Sequence, residues 1–175
     1  EKPVGDLANL IIHEMVHATI FVKDSVAFNE NVASFIGDRG TEQFLQYRFG
    51  KNSKNYVTYV NSDYDYQLLA AHMLRASVAL DSLYKTMDSR YALSTKKEVK
   101  HAFITKIINT LDTISFREKY SRAQRYRKKF PNNAYFMNFR RYQAQQDDLW
   151  ETYREQFHAD LHAYIKFMAD KHPFL

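Results

Sequence analysis

Apolar residues recur at helical spacing along almost the whole chain. Leu7, Leu10, Ile11, Met15 and Ala18 fall three or four apart and predict a first helix over residues 4–22. Lys23-Asp24-Ser25 reads as a turn. A second helix is expected over 27–50, with Gly37-Asp38-Arg39-Gly40 as a point where it can break. Residues 51–62 are polar, with Asn and Ser, and are expected to loop out. Ser62 or Asp63 can cap a third helix to about residue 87, with Leu68, Leu69, Met73, Ala76, Leu80 and Leu83 as its buried stripe. Thr95-Lys96-Lys97-Glu98 fits a capping box and opens a very long fourth helix, to about residue 129. Its apolar positions are Val99, Phe103, Ile107, Ile108, Leu111 and Ile114.

Pro131-Asn132-Asn133 interrupts that pattern, and a short helix to Tyr142 follows. Asp147 and Asp160 are positioned to cap two further helices, ending near Phe157 and at His172-Pro173. No alternating strand pattern is present, and the chain has only four Gly and three Pro. The expectation is an all-α bundle forming a single helical domain over residues 1–175.

Composition narrows this picture. The 175 residues are enough for a substantial core, and no apolar run reaches the length of a membrane span. There is no Cys, so a metal here must be held by His and carboxylate. The net charge of +5 is concentrated in residues 96–129, where Arg122, Arg125, Arg127, Lys128 and Lys129 interleave with Tyr120 and Tyr126. That resembles a nucleic-acid patch. The basic positions are spread around the expected helix, so a solvated face is the better reading, and no nucleic-acid partner is expected.

The candidate chemistry lies at the beginning. His13-Glu14-Met15-Val16-His17 reads H-E-x-x-H. On a helix His13 and His17 are one turn apart on one face, so both imidazoles can reach one ion. Glu14 stands beside them as general base for a metal-activated water, the arrangement of the zinc-metallopeptidase signature. The three form a polar seam in a segment otherwise expected to be buried, where ionisable groups are costly without a partner.

A catalytic zinc takes three protein ligands, so a third is needed. Glu30 is the choice, thirteen residues beyond His17 and on a second helix that can fold back antiparallel. Asp24, in the turn, and Asp38, beside Gly37, are the competing carboxylates. Ser34, Asn29, Asp38 or a backbone carbonyl can accept the histidines' other ring N–H.

These residues carry a resemblance. H-E-M-V-H followed by F-N-E-N-V-A-S-F resembles the gluzincin metallopeptidases, in which a glutamate on a second helix completes the zinc site. The stretch from Leu7 to Gly40 is more closely similar to a bacterial family of predicted aminopeptidases. P-N-N-A-Y-F-M-N-F-R-R-Y and D-L-W-E-T-Y resemble that family's C-terminal part. The resemblance implies Zn2+ held by His13, His17 and Glu30, with Glu14 as base and a peptide as substrate. The interval from His17 to Glu30 is shorter than in thermolysin-like enzymes, so their geometry does not transfer.

Gluzincins commonly use a further Tyr or His on the oxyanion, for which Tyr142 and Tyr135 are the candidates. Asn133 is a candidate for substrate backbone, and Arg140 or Arg141 for a peptide carboxylate. The alternative is that these aromatics pack between helices and the arginines are exposed. The family's upstream portion is not in this chain, so the chain is expected to be a processed or shortened form from the bacterial cell envelope.

His158 and His162 are one turn apart but have no Glu after His158 and no third ligand near. An aminopeptidase also needs an acid to hold the substrate's amine, and Glu42, Asp63 and Asp65 are available for it. The competing functions are a catalytically inactive metal-binding scaffold and a basic helical nucleic-acid binder. Intact Glu14 argues against the scaffold, which has no need of a base.

Overall fold

The protein is described from a computed structural model. It describes residues 3–87, 91–117, 122–143 and 145–174; the side chains of residues 122–123 and 141–143 lie outside that description. The class is all-α, 81% helical, with eight α-helices and no strand among the described residues. The helices are α1 Val4–His17, α2 Val26–Phe49, α3 Lys54–Thr86, α4 Leu93–Thr110, α5 Arg122–Lys128, α6 Asn133–Gln143, α7 Gln146–Phe157 and α8 Leu161–Lys171. None of the described helices is long and apolar enough to cross a membrane.

The chain divides into two compact units, Glu1–Asp63 with Tyr142–Leu175, and Tyr64–Arg141. In the first, Val16 of α1, Val32, Phe35 and Ile36 of α2, Leu149 and Tyr153 of α7, and Leu161, Tyr164 and Met168 of α8 form one core. Phe35 lies at its centre, with the rings of Tyr153 and Tyr164 edge-on at 5.4 and 5.6 Å. Edge-to-face pairs at that separation add to the area term. Fully buried Asn31 accepts from Gln146 Nε2 at both its backbone oxygen and its side chain, at 3.0 and 3.2 Å, which ties α7 to α2.

The second unit packs Leu69, Met73, Ala76 and Leu80 of α3 against Ile104, Ile107 and Ile108 of α4, and Phe136 and Phe139 of α6. Leu68 and Leu83, expected in the same stripe, are half-buried, and Val99 of α4 is exposed.

Five expectations are corrected. The first helix stops at His17 rather than continuing to residue 22. Beyond it the backbone pairs with the chain's far end: Phe21 N donates to His172 O at 2.9 Å and Phe174 N to Thr19 O at 3.1 Å. Those bonds replace the helical partners of the next turn. The second helix runs unbroken through Gly37 and Gly40, because both glycines face α1 at close range.

Residues 51–62 do not loop out. Ser53 Oγ accepts from Tyr56 N at 3.2 Å and starts α3 at Lys54, so the helix begins before Ser62 and Asp63. The long helix to residue 129 is not formed. It ends at Thr110, passes through a 3-10 turn, and becomes extended at Ile114. Hydroxyls of Thr110 and Thr113 bond carbonyls three residues back, competing with the helical ladder. Buried Asp65 then accepts from Arg117 N at 2.7 Å and holds the chain in its new direction. At the start of α4 the N-cap is Ala92, with no side-chain cap, so Thr95 does not open it.

A sixth correction concerns α1. Its segment is not buried around the polar seam: only Gly5 and Val16 are. Leu7, Leu10, Ile11 and Met15 are 43–62% exposed.

Candidate metal centre

α1 and α2 lie antiparallel, and their close approach comes from two glycines. A Cβ on Gly37 would sit 3.4 Å from Asn9 Nδ2 and 3.7 Å from His13 Cβ. One on Gly40 would sit 3.2 Å from the Ile12 side chain. Larger residues there would push the helices apart.

The connection between them is closed by Asn29. Its Oδ1 accepts from Val22 N and its Nδ2 donates to Val22 O, both at 2.9 Å. This pair of hydrogen bonds to one backbone residue fixes where α2 begins, and so places Glu30 one residue later. Both asparagines flanking Glu30 are therefore structural: Asn29 ties the connection, and Asn31 ties α7.

His13 and His17 come together with Glu30. Their Nε2 atoms are 3.0 Å apart. Glu30 Oε2 is 3.5 Å from His13 Nε2, and Glu30 Oε1 is 3.5 Å from His17 Nε2. All three side chains are partly buried, and they are the one such cluster of potential ligands among the described residues. For a tetrahedral ion with bonds of ~2.0–2.1 Å, neighbouring donor atoms lie ~3.3–3.4 Å apart. The observed separations bracket that value. Two imidazole nitrogens and a carboxylate are also a donor set suited to zinc.

Glu14 is exposed, and its side chain makes no hydrogen bond or ion pair among the described residues. It lies about 60° around the helix from His17, given 100° per residue. It therefore borders the ligand seam on the solvent side.

The competing carboxylates are elsewhere. Asp24 is exposed in a left-handed turn with φ 59°. Asp38 is engaged by Asn9 and Tyr59, and burial pushes its carboxyl up to about 7, with Asp63 adding to the rise. Neither Asn29 nor Asp38 bonds a histidine, and Ser34 makes no hydrogen bond to either.

The acids available for a substrate amine are also occupied. Glu42 and Asp63 both pair with Arg39 at 3.2 Å, and Glu42 accepts from Tyr56 Oη as well.

Asn133 and Arg140 lie in the second unit. Asn133 Oδ1 accepts from Tyr84 Oη at 2.8 Å, and Arg140 Nη1 is 4.0 Å from Asp81. Tyr135 is half-buried there, its hydroxyl on that of Tyr126. The side chains of Tyr142 and Arg141 lie outside the described residues. His158 is the left-handed C-cap of α7, and it forms no ligand cluster with His162. Arg127, in the basic stretch, is tied to Asp112 and Asn109.

Sequence reasoning missed Asn9 and Tyr59. Asn9 donates to Asp38 at 2.8 Å and to Tyr59 Oη at 2.9 Å, one turn before His13. The signal was a polar residue on the buried side of an apolar helix.

No curated protein and no solved structure matches the chain. A family model described as "Putative aminopeptidase" matches residues 1–171. The match spans nearly the whole chain, and the chain belongs to that family.

Proposed function

We propose that the protein is a zinc-dependent peptidase, acting as an aminopeptidase. The observation that carries this is the convergence of His13, His17 and Glu30 on one point, with an unpaired Glu14 on the same helix. A bound zinc ion supplies Lewis acidity, acidifying water and polarising a carbonyl. The two imidazoles would hold that ion from one face of α1, and Glu30 would hold it from α2. Glu14 accepts the proton of the attacking water at its carboxylate and returns it to the leaving amine. Its exposure leaves it free to meet substrate. Family membership supports the peptide substrate and exopeptidase action.

The test is the zinc content of the purified chain beside His13→Ala and Glu14→Gln. One zinc per chain, lost in His13→Ala and kept in Glu14→Gln, is expected. Hydrolysis of peptides with a free α-amine should fall by about 10²–10⁴ in Glu14→Gln, the usual contribution of a general base. Acetylating the peptide amine should abolish cleavage if the enzyme is an aminopeptidase. No zinc uptake after addition would overturn the site. Zinc uptake without hydrolysis of any peptide would leave a metal-binding scaffold.

A further inference from the structure

The two helices that carry the candidate ligands are joined by a polar contact away from those ligands. Asn9 of α1 donates to Asp38 Oδ1 of α2 at 2.8 Å. Tyr59 of α3 completes the triangle: it accepts from Asn9 Nδ2 at 2.9 Å and donates to Asp38 Oδ1 at 3.3 Å. Arg39 and Asp63 are the charged groups facing Asp38 from its own helix and from α3.

The spacing of these contacts is informative. Asn9 precedes His17 by eight residues, and Asp38 follows Glu30 by eight. On antiparallel helices both spans are ~12 Å, at 1.5 Å per residue. Once Asn9 is bonded to Asp38, His17 is therefore brought level with Glu30, and His13 one turn along. A slip of one residue would move α1 by ~1.5 Å and turn its imidazoles ~100° away. Apolar contacts between Ile12, Val16 and α2 are non-directional and tolerate such a slip far better. A directional polar pair in an interface is the device by which paired helices fix register.

Tyr59 adds a second constraint. Its ring covers Gly5, where a Cβ would lie 2.6 Å from Tyr59 Cδ2. The hydroxyl on Asn9 and the ring on Gly5 together hold α1 over one of its turns.

We propose that Asn9, Asp38 and Tyr59 form a positioning clasp that sets the register of His13 and His17 against Glu30, and so sets the affinity of the site for zinc. This rests on the metal-site reading above. The three are positioning residues; none touches the ion.

The experiment is zinc affinity by competition with a chromophoric chelator, with thermal unfolding of the metal-free protein read in parallel. Asp38→Asn keeps an acceptor for Asn9, and should bind zinc within about threefold of the parent. Asp38→Leu and Asn9→Leu remove the clasp but keep apolar volume. Each should weaken zinc binding by about tenfold or more, the range lost with outer-shell partners, while in Asp38→Leu, which also removes the buried carboxyl, the metal-free midpoint stays level or rises. Tyr59→Phe keeps the ring over Gly5, and should weaken zinc in the same direction, which preserves the test if a leucine variant fails to fold.

Leucine variants that bind zinc like the parent would overturn the clasp. So would, in Asp38→Leu, a loss of affinity matched by an equal loss of metal-free stability, which is what a merely structural role gives. A parent chain that binds no zinc would overturn the metal reading itself, and the clasp with it.

Discussion

Replacing Asp38 by Asn gives a pH-dependent gain in stability. Burial raises the folded carboxyl from 3.8 to about 7, with Asp63 adding to it and Arg39, Asn9 and Tyr59 opposing. At 1.36 kcal/mol per unit, that rise corresponds to a ceiling of about 4 kcal/mol. The group keeps some contact with water, so about 2 kcal/mol is the working figure. The sign follows from proton binding. Below about pH 4 the carboxyl is protonated in both folded and unfolded chains, and ionisation costs the fold nothing. Between pH 4 and 7 the unfolded chain loses the proton while the folded one keeps it, so stability falls as pH rises. Above pH 7 the full penalty is present.

An amide at this position keeps a bond from Asn9 and never ionises. Asp38→Asn should therefore match the parent near pH 4 and exceed it by about 2 kcal/mol at pH 8. With a urea slope of about 2 kcal/mol/M, that is a midpoint rise of about 1 M. The assay is urea unfolding at both pH values, followed by fluorescence of Trp150, the chain's single Trp. Trp150 lies in the first unit, close to Phe35 and the Arg39 guanidinium, so its signal reports that unit. Titrating groups that do not interact with Asp38 cancel in the difference between variant and parent. A gain that is independent of pH, or larger in acid, would refute the reasoning.

Two further predictions rest on packing. Gly5→Ala should cost about 1–3 kcal/mol, because its Cβ would enter the Tyr59 ring at 2.6 Å; an unchanged Trp150 midpoint would show that α1 does not pack there. Tyr164 Oη is buried without a hydrogen-bond partner among the described residues, and burial pushes the phenol up to about 12. Tyr164→Phe should then be neutral or stabilising by about 1 kcal/mol, and a loss of that size in the same unfolding assay would mean that the hydroxyl is bonded.

How far the sequence revealed these features depended on the range of the interactions involved. The pairing of His13 with His17 was legible because it is a property of one helical turn. Glu30 was legible because only a short connection separates it from that turn. The start of α3 was not, because one Ser53 cap and a Tyr59 contact to Gly5 outweigh a polar composition over residues 51–62. The end of α4 was hidden for a related reason: Asp65 captures the backbone at Arg117, fifty-two residues away in sequence. Gly37 and Gly40 read as a breaking point locally, yet they are where α2 needs no side chain. Long-range polar contacts such as Gln146 to Asn31 leave no periodic signature.

The short reach of Glu30 gives the sharpest check on the candidate centre. Its two oxygens each stand 3.5 Å from a different histidine nitrogen, so the carboxylate spans the pair rather than leaning on one. Glu30→Asp withdraws the carboxylate by one methylene, ~1.5 Å, and with α2 fixed by Asn29 and Asn31 the backbone does not follow. Both separations would grow to ~5 Å, well beyond the ~3.3–3.4 Å edge of a tetrahedral site. Zinc affinity should fall at least about tenfold, the smallest loss seen when only an outer partner is removed. Asp24→Asn, on the exposed carboxylate that competes with Glu30 in sequence, should leave it unchanged. Chelator competition on the two variants decides the matter: equal binding by Glu30→Asp and parent, or a loss in Asp24→Asn, would mean that the third ligand is not Glu30.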